Sequence, residues 1–465
     1  MSEILRWSAV ETVARLRAKT VSAEEVSAAH LERLEAVNPA LNAIVGAVPD
    51  ALTRARAIDR GEIAPGVLHG APITTKINAD QAGLPNTNGL PVQAENIAPG
   101  HSAVIGNLMG AGAVVIGRTN TPEMSLRWCT SNPLHGVTLN PWDAAITPGG
   151  SSGGASASLA AGVGVLAHGN DLGGSVRYPA HCCGLVGHRP SLGRVPAFNP
   201  SAPAERPPMT MLMSVQGPLA RSVADARLGL AAMRGFSPDD PMWSAAPGWG
   251  GGAGTGRIGI GTGFATAPAP DVADAVAKAT KAAEAAGYEV VEVDLPAVER
   301  VAELWGQLLF TETEGFYADF IRAHGTEDLQ RWLHAFMEYY QILDLQGYMA
   351  AMAERSAHQR AWAHLFTDVD ALILPVSQLP AFENDLDFKD PAAAPVLIDA
   401  QKPLCVVNFL GLPSCALPTH VADGLPQGVQ IVGPMHGDDG VLDVAEALEA
   451  SLGSVLGQMP EAFRI

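Results

Sequence analysis

Pro148-Gly-Gly-Ser151-Ser152-Gly-Gly154-Ala-Ser-Ala-Ser-Leu-Ala-Ala-Gly162 is the most unusual run in the chain, and a second glycine-serine cluster, Asp171-Leu-Gly-Gly-Ser175-Val-Arg177-Tyr-Pro179, follows it closely. Glycines permit positive φ and close approach of the backbone to a neighbour. The small residues of 155–162 suit a helix pressed tightly against its surroundings. About ten helical residues at roughly 1.5 Å each advance about 15 Å, and about five extended residues at roughly 3.3 Å return almost the same distance. A helix over 153–162 and a strand over 164–168 would therefore bring Ser151 and Ser175, 24 residues apart, to one edge of a sheet. A phosphate cradle would need Lys-Ser or Lys-Thr after the glycines, and Ala155-Ser156 stands there instead.

Working outward, Ser22 and Glu25 fit a capping box, and Val26, Ala29, Leu31 and Leu34 give an apolar helical face, so 22–36 reads as a helix that Pro39 ends. A second helix is expected over 50–60, a short strand over 70–76 ending at Lys76, a helix over 102–109 and a strand over 113–117. The alternation recurs as strand 257–261, helix 271–287 and strand 288–293, which points to an α/β sheet covered on both faces. Trp249 to Gly256 is Gly-rich and reads as a connecting loop. Residues 300–365 are helix-rich and aromatic, with Trp305, Phe310, Trp332, Phe336 and Tyr340. They form either a plain helical layer or one that also caps a substrate pocket.

The 465 residues carry 48 acidic and 29 basic side chains, a net charge of −19 without the basic stripe that a nucleic-acid partner requires. Five scattered cysteines, Cys129, Cys182, Cys183, Cys405 and Cys415, make no disulfide framework and read as reduced, buried thiols of a cytoplasmic protein. The N-terminus shows no signal peptide, and no run of about 18 uninterrupted apolar residues predicts a membrane span. No His, Cys or carboxylate spacing suggests a metal site, and no cofactor is expected. His69, His135, His168, His181 and His188 read as structural or pocket-lining.

Together with the two Gly-Ser clusters, Leu68-His-Gly-Ala-Pro-Ile-Thr-Thr-Lys76, Gly112-Ala-Val-Val-Ile-Gly-Arg-Thr-Asn120, Asn140-Pro-Trp-Asp143, Asn408-Phe-Leu-Gly-Leu-Pro-Ser414 and Gly424-Leu-Pro-Gln-Gly-Val-Gln430 recur in a characteristic order. On these motifs the chain resembles the amidase signature family across nearly its whole length. The resemblance implies one large α/β domain over 1–465, with a mixed sheet of about ten or more strands sandwiched between helical layers, its core in 65–230 and 400–450. It also implies amide hydrolysis through an acyl-enzyme, with Ser175 as nucleophile, Ser151 as a bridging serine on a cis peptide bond, and Lys76 as general base. A serine hydroxyl needs a base to remove its proton. Lysine serves only when neutral, which burial favours, and Ser151 can both donate and accept. The backbone N–H groups of Leu172, Gly173, Gly174 and Ser175 are the implied oxyanion hole. Ser152, Asp171 and Arg177 are expected to hold the loops.

Two positions depart from the family pattern: Ile77 replaces the usual Asp after the lysine, and Asn170 the usual Thr before Asp171. Ser125, Met209, Met211 and Met213 are candidate pocket residues. An extended segment after the Pro-rich run 200–208 would put the three methionines on one face, as core packing or as an adaptable apolar wall. The leading expectation is a monomeric or homodimeric hydrolase of small neutral, fairly apolar amides, with carbamates (urethanes) and esters feasible. The alternatives are the glutamine-hydrolysing component of a tRNA-dependent amidotransferase and a catalytically dead amidase-like binding protein.

Overall fold

A computed structural model describes residues 3–245, 254 and 256–465. Most of the expected loop at 249–256 therefore lies outside the described residues. Among those described, eleven strands make one mixed sheet. In spatial order they are Ile44–Gly46, Val114–Thr119, Pro72–Lys76, Leu166–Asp171, Val215–Ala220, Val186–Arg189, Ser414–Ala422, Leu425–Val432, Ala371–Pro375, Arg257–Thr262 and Glu289–Asp294. Pro72–Lys76 lies parallel to both its neighbours, whereas Leu166–Asp171 runs antiparallel to Val215–Ala220.

Side chains alternate across the sheet with the period of two that a strand imposes. Leu372 and Leu374 join one buried cluster with the aromatic helices, while Ile373 between them joins the other, with the N-terminal helices. Both faces are covered, as expected for strands that read as near-continuous apolar runs.

The expected elements form, with two differences. Ser22 Oγ accepts the Glu25 N–H at 3.0 Å and starts the helix Ala23–Leu41, but that helix continues through Pro39. Proline removes one donor and crowds the preceding turn. Here that falls in the last turn, where Asn42 closes the helix at φ 50° and donates its N–H to Asn38 O at 2.7 Å. The second difference lies at Pro208–Met213, which is a helix and not an extended segment. Pro208 suits a first helical position, and the buried Glu312 carboxylate accepts the N–H groups of Met209 and Thr210 at 2.7 and 3.0 Å. Four-residue spacing buries Met209 and Met213 together and leaves Met211 partly exposed on another face.

The helix Gly153–Ala160 is buried along its whole length. A Cβ on Gly154 would fall 2.4 Å from the backbone nitrogen of Asn120, so only glycine lets this helix approach so closely. It leads back to Leu166–Asp171, which places both serine clusters at the end of the sheet where Pro72–Lys76 also terminates. The helices Val298–Phe316, Ala318–His324, Glu327–Tyr340 and Leu345–Leu365 build the aromatic layer. All five cysteines are free and buried. The segment Pro391–Leu410 is long and apolar enough to cross a membrane, and 72% of its most apolar window is buried inside the fold.

Candidate active site

Lys76 ends its strand fully buried, and its Nζ lies 2.7 Å from Ser151 Oγ. It also donates to Asn170 Oδ1 at 2.7 Å. Burial pushes the amine well below the ordinary lysine range, against the opposing pull of the Asp171 charge. Both of its side-chain partners are uncharged, so nothing in direct contact compensates an ammonium. Asn170 is held in turn, donating to Asn78 Oδ1 at 2.9 Å, and Asn78 donates to Ser125 Oγ at 2.9 Å. Ser125 sits at φ 58°, donates to Asn88 Oδ1 at 2.7 Å and lies 2.8 Å from Thr121 Oγ1. Thr121 also donates to the Ser151 carbonyl at 2.9 Å, and the Gly150–Ser151 peptide is cis. Ile77 is buried and leaves no carboxylate beside the lysine on its own strand.

The second loop is organised by Asp171. Its carboxylate accepts the N–H groups of Gly174 at 2.9 Å and Val176 at 3.2 Å, and Arg177 binds it through Nε and Nη2 at 3.1 and 3.0 Å. Burial raises its pKa, but Arg177 and Arg189 outweigh burial and hold the carboxyl well below its usual range. Arg177 reaches on to Gln430 and Asn408. Asp171 and Arg177 thus hold the loop that carries Ser175. Among the described residues, the Ser152 side chain makes a single long hydrogen bond, 3.4 Å, to Asn170 O.

The implied oxyanion donors do not stand alike. Gly174 gives its N–H to Asp171, whereas the N–H groups of Leu172, Gly173 and Ser175 have no acceptor among the described residues. Ser175 lines a cavity with Ser125, Leu172 and Gly173, faced by Trp128, Trp305, Phe310, Trp332 and Phe336. No lining side chain is charged. Trp128 and Trp305 stack with centroids 6.4 Å apart, and Trp332 and Phe336 lie 4.2 Å apart. Arg127, paired with Asp385 and Asp387, fixes the loop that presents Trp128. Met209, Met211 and Met213 do not line this cavity.

The family resemblance groups Lys76 with Ser151, whose side chains lie 2.7 Å apart, but the sequence reading misses the chain Asn170–Asn78–Ser125 and the two tryptophans at the loop. The replacement of Thr by Asn170 is the available signal for the first. His168 is neutral in its buried position, with its pKa lowered to about 4 by burial, and its Nε2 lies 2.8 Å from Gln216 Oε1. Among the described residues, no histidine hydrogen-bonds Ser151 or Ser175, no hydrogen bond joins those two serines, and no metal-holding cluster occurs.

The Amidase family model matches residues 25–442. An indoleacetamide hydrolase of Bradyrhizobium diazoefficiens is 43% identical over 99% of this chain and 89% of its own length. A glutamyl-tRNA(Gln) amidotransferase subunit of Acidothermus cellulolyticus is 32% identical over 99% and 97%. The crystal structure of a bacterial aryl acylamidase of the amidase signature family superposes with a TM-score of 0.82 at 26% identity, covering 97% of each chain. Fold, motifs and sequence agree: the chain belongs to the amidase signature family and hydrolyses amide C–N bonds.

Proposed function

We propose that this amidase acts on small neutral amides whose acyl part carries an aromatic ring, through an acyl-enzyme on Ser175. The observation that carries this reading is the uncharged, aromatic-walled cavity lined by Ser175, Leu172 and Gly173. An arylacetamide fits such a wall, and the indoleacetamide hydrolase relative acts, by its name, on a substrate of that class. A glutamine zwitterion finds no charged partner there, and burying an unpaired charge is costly. The cavity volume is about 30 Å³, far below the roughly 300–1,000 Å³ of typical ligand pockets. Binding therefore requires the rings to separate. Carbamates and esters with the same aromatic group pass through similar intermediates and are second substrates.

In this mechanism neutral Lys76 accepts a proton from Ser151, which takes one from Ser175 as its Oγ attacks the carbonyl. The developing oxyanion is received by the free N–H groups of Leu172, Gly173 and Ser175. The relay then returns the proton to the leaving amine, and water releases the acid. No cofactor enters. Five unpaired thiols suit a reducing compartment, the cytoplasm.

The test is a comparison of kcat/KM for indoleacetamide, an aryl carbamate and glutamine. We expect the aromatic amide to lead glutamine by at least about tenfold, roughly 1.4 kcal/mol in barrier. A tenfold lead for glutamine would transfer the reading to the amidotransferase type.

A further inference from the structure

The chain 171–175 is gripped from its carbonyl side at every peptide. Asp171 O accepts from Asn408 Nδ2 at 3.1 Å, Leu172 O from Trp305 Nε1 at 2.9 Å, Gly173 O from Trp128 Nε1 at 2.8 Å, and Gly174 O from the Tyr178 N–H at 2.7 Å. In a trans peptide the C=O of one residue and the N–H of the next point in opposite directions within one plane. A donor on a carbonyl therefore sets where the following N–H points. Trp305 sets the Gly173 N–H, and Trp128 sets the Gly174 N–H.

The two indoles thus do the same chemistry on planes of different use. The Gly174 N–H that Trp128 orients is already given to Asp171. Gly173 lines the cavity, and its N–H, which Trp305 orients, has no acceptor among the described residues. Trp305 also packs on Gly173 closely enough that a Cβ there would fall 2.6 Å from its Cζ2. Without a Cβ, Gly173 resists reorientation of its peptide only weakly, so the indole N–H supplies the restraint.

We infer that Trp305 is a positioning residue for catalysis: its N–H aims the Gly173 N–H at the oxyanion, while its ring forms part of the acyl-group wall. This rests on the reading of 172–175 as an oxyanion hole. Because the same side chain belongs to the helix Val298–Phe316 and touches the cavity, the aromatic layer and the oxyanion donor move together.

The experiment compares Trp305→Phe with Trp128→Phe. Both remove an indole N–H from a loop carbonyl and both keep an aromatic ring. Three quantities are read: kcat and KM on the aromatic amide, the second-order rate of Ser175 phosphonylation by a fluorophosphonate, and the thermal unfolding midpoint. A lost oxyanion donor costs up to about 10²–10³ in kcat. On that scale Trp305→Phe should lower both kcat and the phosphonylation rate by about tenfold or more, with KM within about threefold. Trp128→Phe alters the same wall but not the orientation of a free N–H, so its losses in kcat and in phosphonylation rate should be smaller than those of Trp305→Phe by at least about threefold. Equal effects of the two variants, or a raised KM with unchanged kcat in Trp305→Phe, would overturn the assignment. If Trp305→Phe does not fold, Trp305→Leu removes the same N–H without supplying another donor. If wild type cleaves no aromatic amide yet is phosphonylated, the substrate reading fails and the positioning test still stands. If wild type is not phosphonylated, the assignment of Ser175 itself is what fails.

Discussion

Lys76, Ser151 and Asp171 sit in a lattice of polar contacts, mostly between 2.7 and 3.2 Å, whereas Phe310, Trp332 and Phe336 line the cavity through ring packing, with Tyr340 stacked on Phe310. The lattice is directional. Each group has one or two partners, and moving one changes protonation or aim. The ring layer is not directional, and its contribution scales with the area removed from water. Changes at the polar edge should therefore fall on kcat and its pH dependence, while changes in the ring layer should grade with the size of the substrate's acyl group.

The sharpest way to break this contrast is to remove the buried amine. Lys76→Met should lower kcat by about 10⁴-fold or more, as loss of a member of a catalytic unit does. It should also change the pH dependence of stability. Burial places the folded-state pKa of Lys76 well below its ordinary value. Between those two pKa values the unfolded chain binds more protons, so wild-type stability rises with pH and is lost as pH falls toward the folded pKa. Unfolding midpoints across pH should then show Lys76→Met gaining on wild type from about pH 10 downward. A difference that stays flat with pH would mean the lysine remains charged in the fold, and would remove it as a base.

Asn170→Asp is expected to have the next largest effect. It places a carboxylate where Lys76 Nζ now donates to an amide oxygen at 2.7 Å. An adjacent opposite charge shifts a pKa by about 1–3 units toward the charged form, here upward for the lysine. The rising limb of kcat/KM against pH should move to higher pH, with activity lowered at neutral pH and recovered in alkali. A profile in its wild-type position would show that Asn170 does not govern the protonation of Lys76.

How much of this is legible in the sequence follows from the same contrast. The polar edge is written in local motifs: Gly154 admits Asn120 closely, and Asp171 binds its own loop within six residues, so spacing brings the two serine clusters to one edge, while Lys76 is added only by the resemblance of its motif. Asn170 is visible as a departure, but not its bond to Asn78, which spans two parallel strand ends. The pocket wall is not legible. Trp305 lies 133 residues from the carbonyl it holds, and its partner Trp128 comes from a loop fixed by Asp385 and Asp387, about 260 residues away. The methionines mislead because their period of two in sequence suits a strand, whereas Glu312, about 100 residues distant, caps that segment as a helix.

The smallest effect is expected at the outer wall, and it separates area from aim. Trp332 is buried, lines the cavity, and its Nε1 has no hydrogen-bond partner among the described residues. Trp332→Phe removes a donor that was satisfying nothing, so no partner is orphaned and little stability should be lost. Trp332→Ala removes the ring and the contacts it offers an aromatic acyl group. Its kcat/KM on indoleacetamide should fall about tenfold, roughly 1.4 kcal/mol, with most of the change in KM. On acetamide, which does not reach that wall, the same variant should stay within about twofold of wild type, an internal control for any general loss of folding. Comparing the two substrates therefore isolates the wall. Equal losses on both would mean that Trp332 supports the catalytic edge itself, and the division between a directional lattice and a graded ring layer would fail at the residue where it is expected to be cleanest.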